Sequence, residues 1–430
     1  MALKKPLAAL AATALAATLA ACGGGSSDDN DGGSSGGKPE KGGNAIFFVG
    51  PRTVEHWDPQ RMYIGRDLNN AGRLFYRSLV AFPASNDPEE GTTPIPDLAT
   101  DTGTTEDGGK TWQFTVRDDV KWEDGQPITC EDFKYGASRN FATDVIIGGP
   151  ANYLFTYLDI PKGDDDLPAY KGPYSKKGQE LFDKAVTCEG QTITYRFKKP
   201  WPDFPQSIAS LRFMDPYRAD LDKGDANNFV IISNGPYKLE GEWKEGTGGK
   251  FVRNENWDPS TDPIRKAYPD TWDFREGDTD EAIYEQLLSD SGDAQYAVTE
   301  RRLPPALFDR KDEAGDRYTQ VESPYVDYVV PNFNSPVFKD PNCREALKLA
   351  TDKSAWIKAG GGEEYFKPAY SIVNPNVPGY TENPSFADIP DEGDIEGAKA
   401  ALEKCPAPKP VKIKFTYSGA RRPRTSRRPR

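Results

Sequence analysis

His56 is the single histidine in 430 residues. A Ser-His-Asp or Cys-His catalytic arrangement would therefore have one possible base. Around it runs Glu55-His56-Trp57-Asp58-Pro59, which carries no nucleophile, although a triad is assembled by the fold rather than by neighbours in sequence. Gly360-Gly361-Gly362 is followed by Glu363 and Glu364. A phosphate cradle needs Lys and Ser or Thr there, so this run reads as a loop. Glu89-Glu90 and Asp164-Asp165-Asp166 could supply a glycosidase carboxylate pair, but they sit in polar runs and nothing sets their separation. They read as solvated faces. Catalysis is not expected, and no cofactor is called for.

The N-terminus points to export. Lys4 and Lys5 precede an uncharged run rich in Ala and Leu, which ends in Leu19-Ala20-Ala21-Cys22. That order is a signal segment, removed and outside the fold. The run is short for a membrane span, which needs about 20 apolar residues. Leu-Ala-Ala-Cys resembles the bacterial lipobox, which implies lipidation of Cys22. A plain secretory signal with an incidental cysteine is the alternative. Residues 23–43 hold Gly, Ser, Asp, Asn and Lys with no large apolar side chain. Such a stretch behaves as a flexible tether.

The length indicates two or more domains, and the aromatic content of 11% is ample for packing them. The formal charge is −13, and the last ten residues alone hold six Arg, so the body is more acidic still. An acidic body argues against nucleic acid as a partner. It favours cationic or zwitterionic ligands only weakly, because net charge says little about one pocket. Cys130, Cys188, Cys343 and Cys405 read as two disulfides in an exported protein. Three pairings are possible. Cys130–Cys188 with Cys343–Cys405 is preferred, because each bridge then stays inside one expected lobe. Each closes a loop of about sixty residues, contributing on the order of 4 kcal/mol in the chain-entropy model. A zinc site is not expected, since no Cys-x-x-Cys spacing occurs and there is one histidine.

The elements that must hold these residues show periodic patterns. Trp112, Phe114 and Val116 alternate with polar residues, as do Ile193, Tyr195 and Phe197, so both are half-buried strands. Glu123-Asp124-Gly125 is a turn. Thr129 with Asp132 looks like a helix cap, followed by Phe133, Ala137 and Phe141 on one face. Leu68, Ala71, Phe75 and Leu79 form another helical stripe. Asn342 with Glu345 begins a helix bearing Cys343, Ala346, Leu347 and Ala350, stopped by the glycines at 360–362. A helix over 394–404 precedes a strand with Val411, Ile413, Phe415 and Tyr417. Mixed strands and helices with long Pro- and Gly-rich loops define an α/β class.

Several segments carry a resemblance in the order they occur. They are Pro96-Asp97-Leu98-Ala99, Glu106 to Trp112, Asp124-Gly125-Gln126-Pro127-Ile128-Thr129 and Glu131-Asp132-Phe133. Ser233-Asn234-Gly235-Pro236-Tyr237 with Arg253-Asn254 follows. The last runs from Asn332 to Lys353 and includes Phe338, Arg344, Ala346, Leu347, Ala350 and Asp352. The chain resembles the family 5 extracellular solute-binding proteins of ABC importers, the oligopeptide-, dipeptide- and nickel-binding group, over roughly Ile46 to Tyr417.

The resemblance implies a two-lobed periplasmic-binding-protein-like fold of the large peptide-binding type, class II, closing on a ligand by hinge motion. It implies a peptide or other small solute as ligand, ABC permease and ATPase subunits as partners, and attachment to the extracellular face of the cytoplasmic membrane through the lipid. Nickel is the weaker branch, since a soft-nitrogen site favours more histidine. By position, Trp57, Asp58 and Asn234 approach the cleft, Asn332 and Asn334 sit near the lobe junction, and Tyr365 follows a glycine loop. Trp57 as core and Asn234 as turn geometry remain open. A surface sensor or adhesin built on the same fold is the other functional class.

The expected divisions are a signal at 1–21, a tether at 22–43, a first lobe at 44–270 with an inserted subdomain around 80–190, and part of a second lobe at 271–417. The tail at 418–430 reads SGARRPRTSRRPR from Ser418 onward and departs from the family, which continues further. It reads as a frameshift or truncation that leaves the second lobe incomplete, or as a polybasic arm, or as an assembly artefact of a longer gene. On the first of these, a non-functional product that binds ligand poorly is expected.

Overall fold

The computed structural model describes residues 39–416 apart from 86, 88, 322 and 378. The signal segment, Cys22, Tyr417 and the basic tail lie outside the described residues.

Asn44–Gly50 (β1) is almost wholly apolar and is buried along most of its length, as a strand covered on both faces must be. It leads into α1 (Gly65–Leu74). Val80–Ala81 (β2) and Ile95–Pro96 (β3) pair as a short antiparallel ribbon. Thr111–Thr115 (β4), Val186–Glu189 (β5) and Thr192–Arg196 (β6) form an antiparallel sheet in the order β4-β6-β5. Tyr237–Lys244 (β7), Gly248–Arg253 (β8), Thr271–Glu276 (β9) and Ala297–Val298 (β10) join β1 in a five-stranded sheet of order β10-β1-β9-β8-β7. In it β1 runs parallel to β9 and β10, while β7, β8 and β9 alternate. The expected boundary at 270/271 falls immediately before β9, which lies at the middle of this sheet.

Alternation along β1 divides its side chains between two packing regions. Phe47 and Val49 join Trp57, Phe75, Trp243, Phe251 and Phe274 on one face. Ile46 and Phe48 meet Ile283 on the other. A larger core gathers Trp112, Phe114, Tyr195, Trp201 and Phe204 around the three-stranded sheet. It is covered by α2 (Cys130–Arg139), α3 (Ala151–Tyr157), α4 (Gln179–Ala185) and α5 (Phe204–Ser210). Beyond the sheets follow α6 (Asp280–Ser289), α7 (Pro341–Leu349), α8 (Lys353–Ala359), α9 (Pro384–Ala387) and α10 (Ile395–Lys404).

Both expected disulfides are present. Cys130 at the start of α2 joins Cys188 in β5, and Cys343 in α7 joins Cys405 just after α10. Thr129 and Asp132 form a reciprocal capping box at α2, as the sequence spacing predicts.

Three expectations are corrected. Asp340, not Asn342, caps α7: its carboxylate accepts from the Asn342 and Cys343 N–H groups at 2.8 and 3.3 Å, and Pro341 stands at the first helical position. That helix ends at Leu349. Asp352 starts a separate helix, α8, and it is α8 that Gly360 caps. Residues 411–416 form no strand, and Ile413 and Phe415 are half exposed. Alternation alone does not make a strand, because its N–H and C=O groups need a neighbouring ladder.

Candidate functional site

The segments that carry the resemblance are engaged in architecture. Asp97 accepts from Arg77 Nε at 2.7 Å and from Arg265 at 3.1 and 3.0 Å, all three side chains being buried. Asn234 Oδ1 accepts the Arg77 N–H at 2.7 Å, while Ser233 Oγ donates to the Phe75 and Tyr237 carbonyls. Asn254 Nδ2 donates to the Gly235 carbonyl at 2.8 Å. These contacts close loops that carry no regular ladder, which is where side chains must satisfy the backbone.

The residues chosen from sequence fall in separate places. Trp57 is fully buried, edge-on to both Phe75 and Trp243 at ring separations of 5.1 Å. Asp58 is equally buried and holds Arg139. Asn234 meets the same region through Phe75, whose carbonyl accepts its N–H at 3.0 Å. Its Nδ2 has no hydrogen-bond partner. Asn332 and Asn334 are exposed in one turn, closed by the Asn334 N–H on Asn332 Oδ1 at 2.9 Å. Tyr365 is half-buried beside Phe308, at a ring separation of 5.5 Å. Among the described residues, none of the last three hydrogen-bonds to Trp57, Asp58 or Asn234.

The loop that carries Trp57 does border a cavity of about 250 Å³. His56, Arg61, Tyr63 and Asp67 line it from the loop and the first turn of α1, and Gly148–Gly149 closes it from the far side. Both glycines have positive φ, +100° and +68°, a region that side chains with a Cβ avoid. A Cβ on Gly149 would overlap the Gln60 carbonyl oxygen, so only glycine lets the two chain segments approach this closely.

The charged lining groups are paired. Arg61 donates to Asp225 at 2.8 Å and to the Val145 carbonyl at 2.6 Å, and lies 3.4 Å from Asp58. Asp67 accepts from Arg66 at 2.7 Å. Burial raises its carboxyl above the ordinary value despite that partner. His56 Nδ1 lies 2.6 Å from Asn228 Oδ1. Tyr63 is largely exposed, and its phenol is raised first by hydrogen bonding with the Tyr153 side chain and then by burial, with a smaller push from Tyr328. Tyr325 packs its hydroxyl against Gly65, the first residue of α1. Asn374 fixes that segment by donating to the Ser323 and Tyr325 carbonyls, both at 3.0 Å.

The lining therefore offers aromatic rings and hydrogen-bonding groups around a small concave space. Tyr63, Tyr153 and Gly148–Gly149 lie in no catalytic or binding motif of the sequence. The one sequence signal was the Gly148-Gly149-Pro150 turn run. Among the described residues, no group of three or more His, Cys, Asp or Glu side chains is placed to hold a metal ion, and no helix is long and apolar enough to cross a membrane.

This mixed α/β fold is shared with peptide-binding periplasmic proteins. A solved "clavulanic acid biosynthesis oligopeptide binding protein 2" superposes with a TM-score of 0.73 at 29% identity, covering 85% of this chain and 64% of that one. The murein tripeptide binding protein MppA of Escherichia coli gives a TM-score of 0.62 at 20% identity, covering 86% and 67%. Residues 93–427 match the bacterial extracellular solute-binding proteins, family 5 (middle region), and the chain belongs to that family. Its members are binding proteins rather than enzymes. The oligopeptide-binding protein OppA of Bacillus subtilis is 26% identical over 344 residues, 77% of this chain and 56% of its own length. The nickel-binding periplasmic protein of Escherichia coli is 27% identical, covering 85% of this chain and 62% of its own length. The chain thus spans little more than half the length of these relatives.

Proposed function

We propose that this chain is the solute-binding component of an ABC importer, held to the outer face of the cytoplasmic membrane by a lipid on Cys22 and taking peptides as its ligands. The observation that carries the reading is the family match over residues 93–427. Relatives named for oligopeptides, dipeptides and murein peptides favour peptides over nickel. The single histidine weighs the same way. In this reading Trp57 and Asp58 anchor the loop that walls the cavity, and closure shifts a population toward a ligand-bound form. ABC permease and ATPase subunits receive the solute.

Calorimetric titration of the processed full chain with a mixed tripeptide pool tests the ligand class. Saturable heat at micromolar peptide supports it, and no heat with any pool refutes it. Labelling of cells with a fatty-acid probe tests the anchor: the label is expected in the native chain and absent from Cys22→Ser. A label retained in that variant would remove Cys22 as the attachment point.

A further inference from the structure

The His56 ring is held in one orientation, and the same contacts place its proton. Asn228 donates Nδ2–H to the Glu55 carbonyl at 3.2 Å, which turns its Oδ1 toward His56 Nδ1. An amide oxygen only accepts, so Nδ1 carries the proton of the neutral ring and Nε2 presents a lone pair. Nε2 looks toward Gly148, where even a Cβ would come to 3.3 Å. Glycine keeps that side open. Among the described residues no hydrogen bond reaches Nε2.

Its charged neighbours are already matched. Glu55 pairs with Arg52 at 3.3 Å, Arg61 with Asp225 and Asp58, and Asp67 with Arg66. Met62, Tyr63 and Ile64 supply the rest of the wall beside the two glycines. Among the described residues, His56 Nε2 is thus an uncharged acceptor on the cavity wall that no hydrogen bond engages. We propose that this atom accepts an N–H of the bound solute, and that protonation of the ring abolishes the contact and releases the solute on acidification. The imidazolium has a donor at both nitrogens, so it opposes an N–H where the neutral ring accepted one. The inference rests on the chain being a solute receptor and adds the atom that reads the ligand.

The test uses the full processed chain labelled with ¹⁵N in its single histidine. Long-range ¹H–¹⁵N spectra are expected to show the Nδ1–H tautomer. A tripeptide pool is expected to bind the neutral ring about tenfold more tightly than the imidazolium. Affinity should fall about tenfold between about pH 8 and about pH 5, the window of histidine. His56→Phe, checked by its melting curve, should lose that dependence. An N-acetylated pool that acts equally assigns the contact to an amide N–H, and one that does not assigns it to the ammonium. An Nε2–H tautomer overturns the proposal. So does a pool that binds with the same affinity at about pH 8 and about pH 5, an outcome that leaves the receptor reading intact. A pool that does not bind overturns both.

Discussion

Arg139 grips Asp58 with both terminal nitrogens, at 2.7 and 2.6 Å from the two carboxylate oxygens, and neither side chain reaches solvent. The same guanidinium donates Nε to Asp222 at 2.8 Å and lies 3.7 Å from the centre of the Tyr217 ring. A residue chosen from sequence for ligand contact is thus the inner anchor of α2. Asp58→Ala leaves Arg139 buried with part of its charge unmatched. It is expected to destabilise the protein by about 3–5 kcal/mol, the cost of breaking a buried pair from one side. Urea denaturation measures it. Unchanged stability with lost peptide binding would return Asp58 to the ligand.

Glu123 gives the fold a pH dependence of unusual sign for a carboxylate. Burial raises it from 4.5 to about 7, against the Ser233 backbone hydrogen bond and Lys238. The folded form therefore holds this proton more tightly than the unfolded form. The contribution is fully present below about pH 4.5 and is lost as pH rises through about 7. Glu123→Gln keeps the shape without the charge. Relative to the native protein it should gain about 2–3 kcal/mol between those limits. Parallel denaturation curves across the range read the difference, and a flat difference contradicts the assignment.

Gly149 separates collision from strain. Its φ of +68° and the Gln60 carbonyl both oppose a side chain, whereas Gly190, at +60°, has nothing within 4 Å of a Cβ. Gly190→Ala should cost about 1 kcal/mol of backbone strain. Gly149→Ala should cost about 2 kcal/mol more, because a packed backbone must move. Equal shifts in melting temperature would mean that the two segments yield freely.

The Cys343–Cys405 bridge ties α7 to the end of α10 across 62 residues. The double variant Cys343→Ser, Cys405→Ser is expected to lose about 4 kcal/mol in the chain-entropy model. Hydrogen exchange should show the loss in α7 and α10 and spare the three-stranded sheet. Protection lost evenly across the chain would contradict a local staple.

What the sequence disclosed follows from how local each signal is. The strands at Trp112 and Tyr195 were legible because alternation is set by the pleat itself. The α2 cap was legible because Thr129 and Asp132 lie within one turn. The disulfide pairing followed from keeping each bridge inside one expected lobe. The α7 cap was misplaced by two residues, since Asp340 and Asn342 are both good caps and only the backbone chooses between them. The expected strand failed over the described residues 411–416 because its pattern says nothing of a neighbour. The cavity was illegible for a deeper reason: His56 and Gly148 meet only through the fold.

The position of β1 sets the order in which the molecule can assemble. Asn44 must find Thr271, and Ile46 must find Ala297. A chain made from its N-terminus therefore carries β1 with both edges unsatisfied until residues 271–298 have followed it. Closing so long a loop is slow, and an open strand edge is adhesive while it waits. The core around Trp112 and Tyr195 needs only residues inside its own span and is free to form first. The loop of His56 packs through Trp57 against the sheet that holds β1, so its cavity shares that sheet's dependence on long-range pairing.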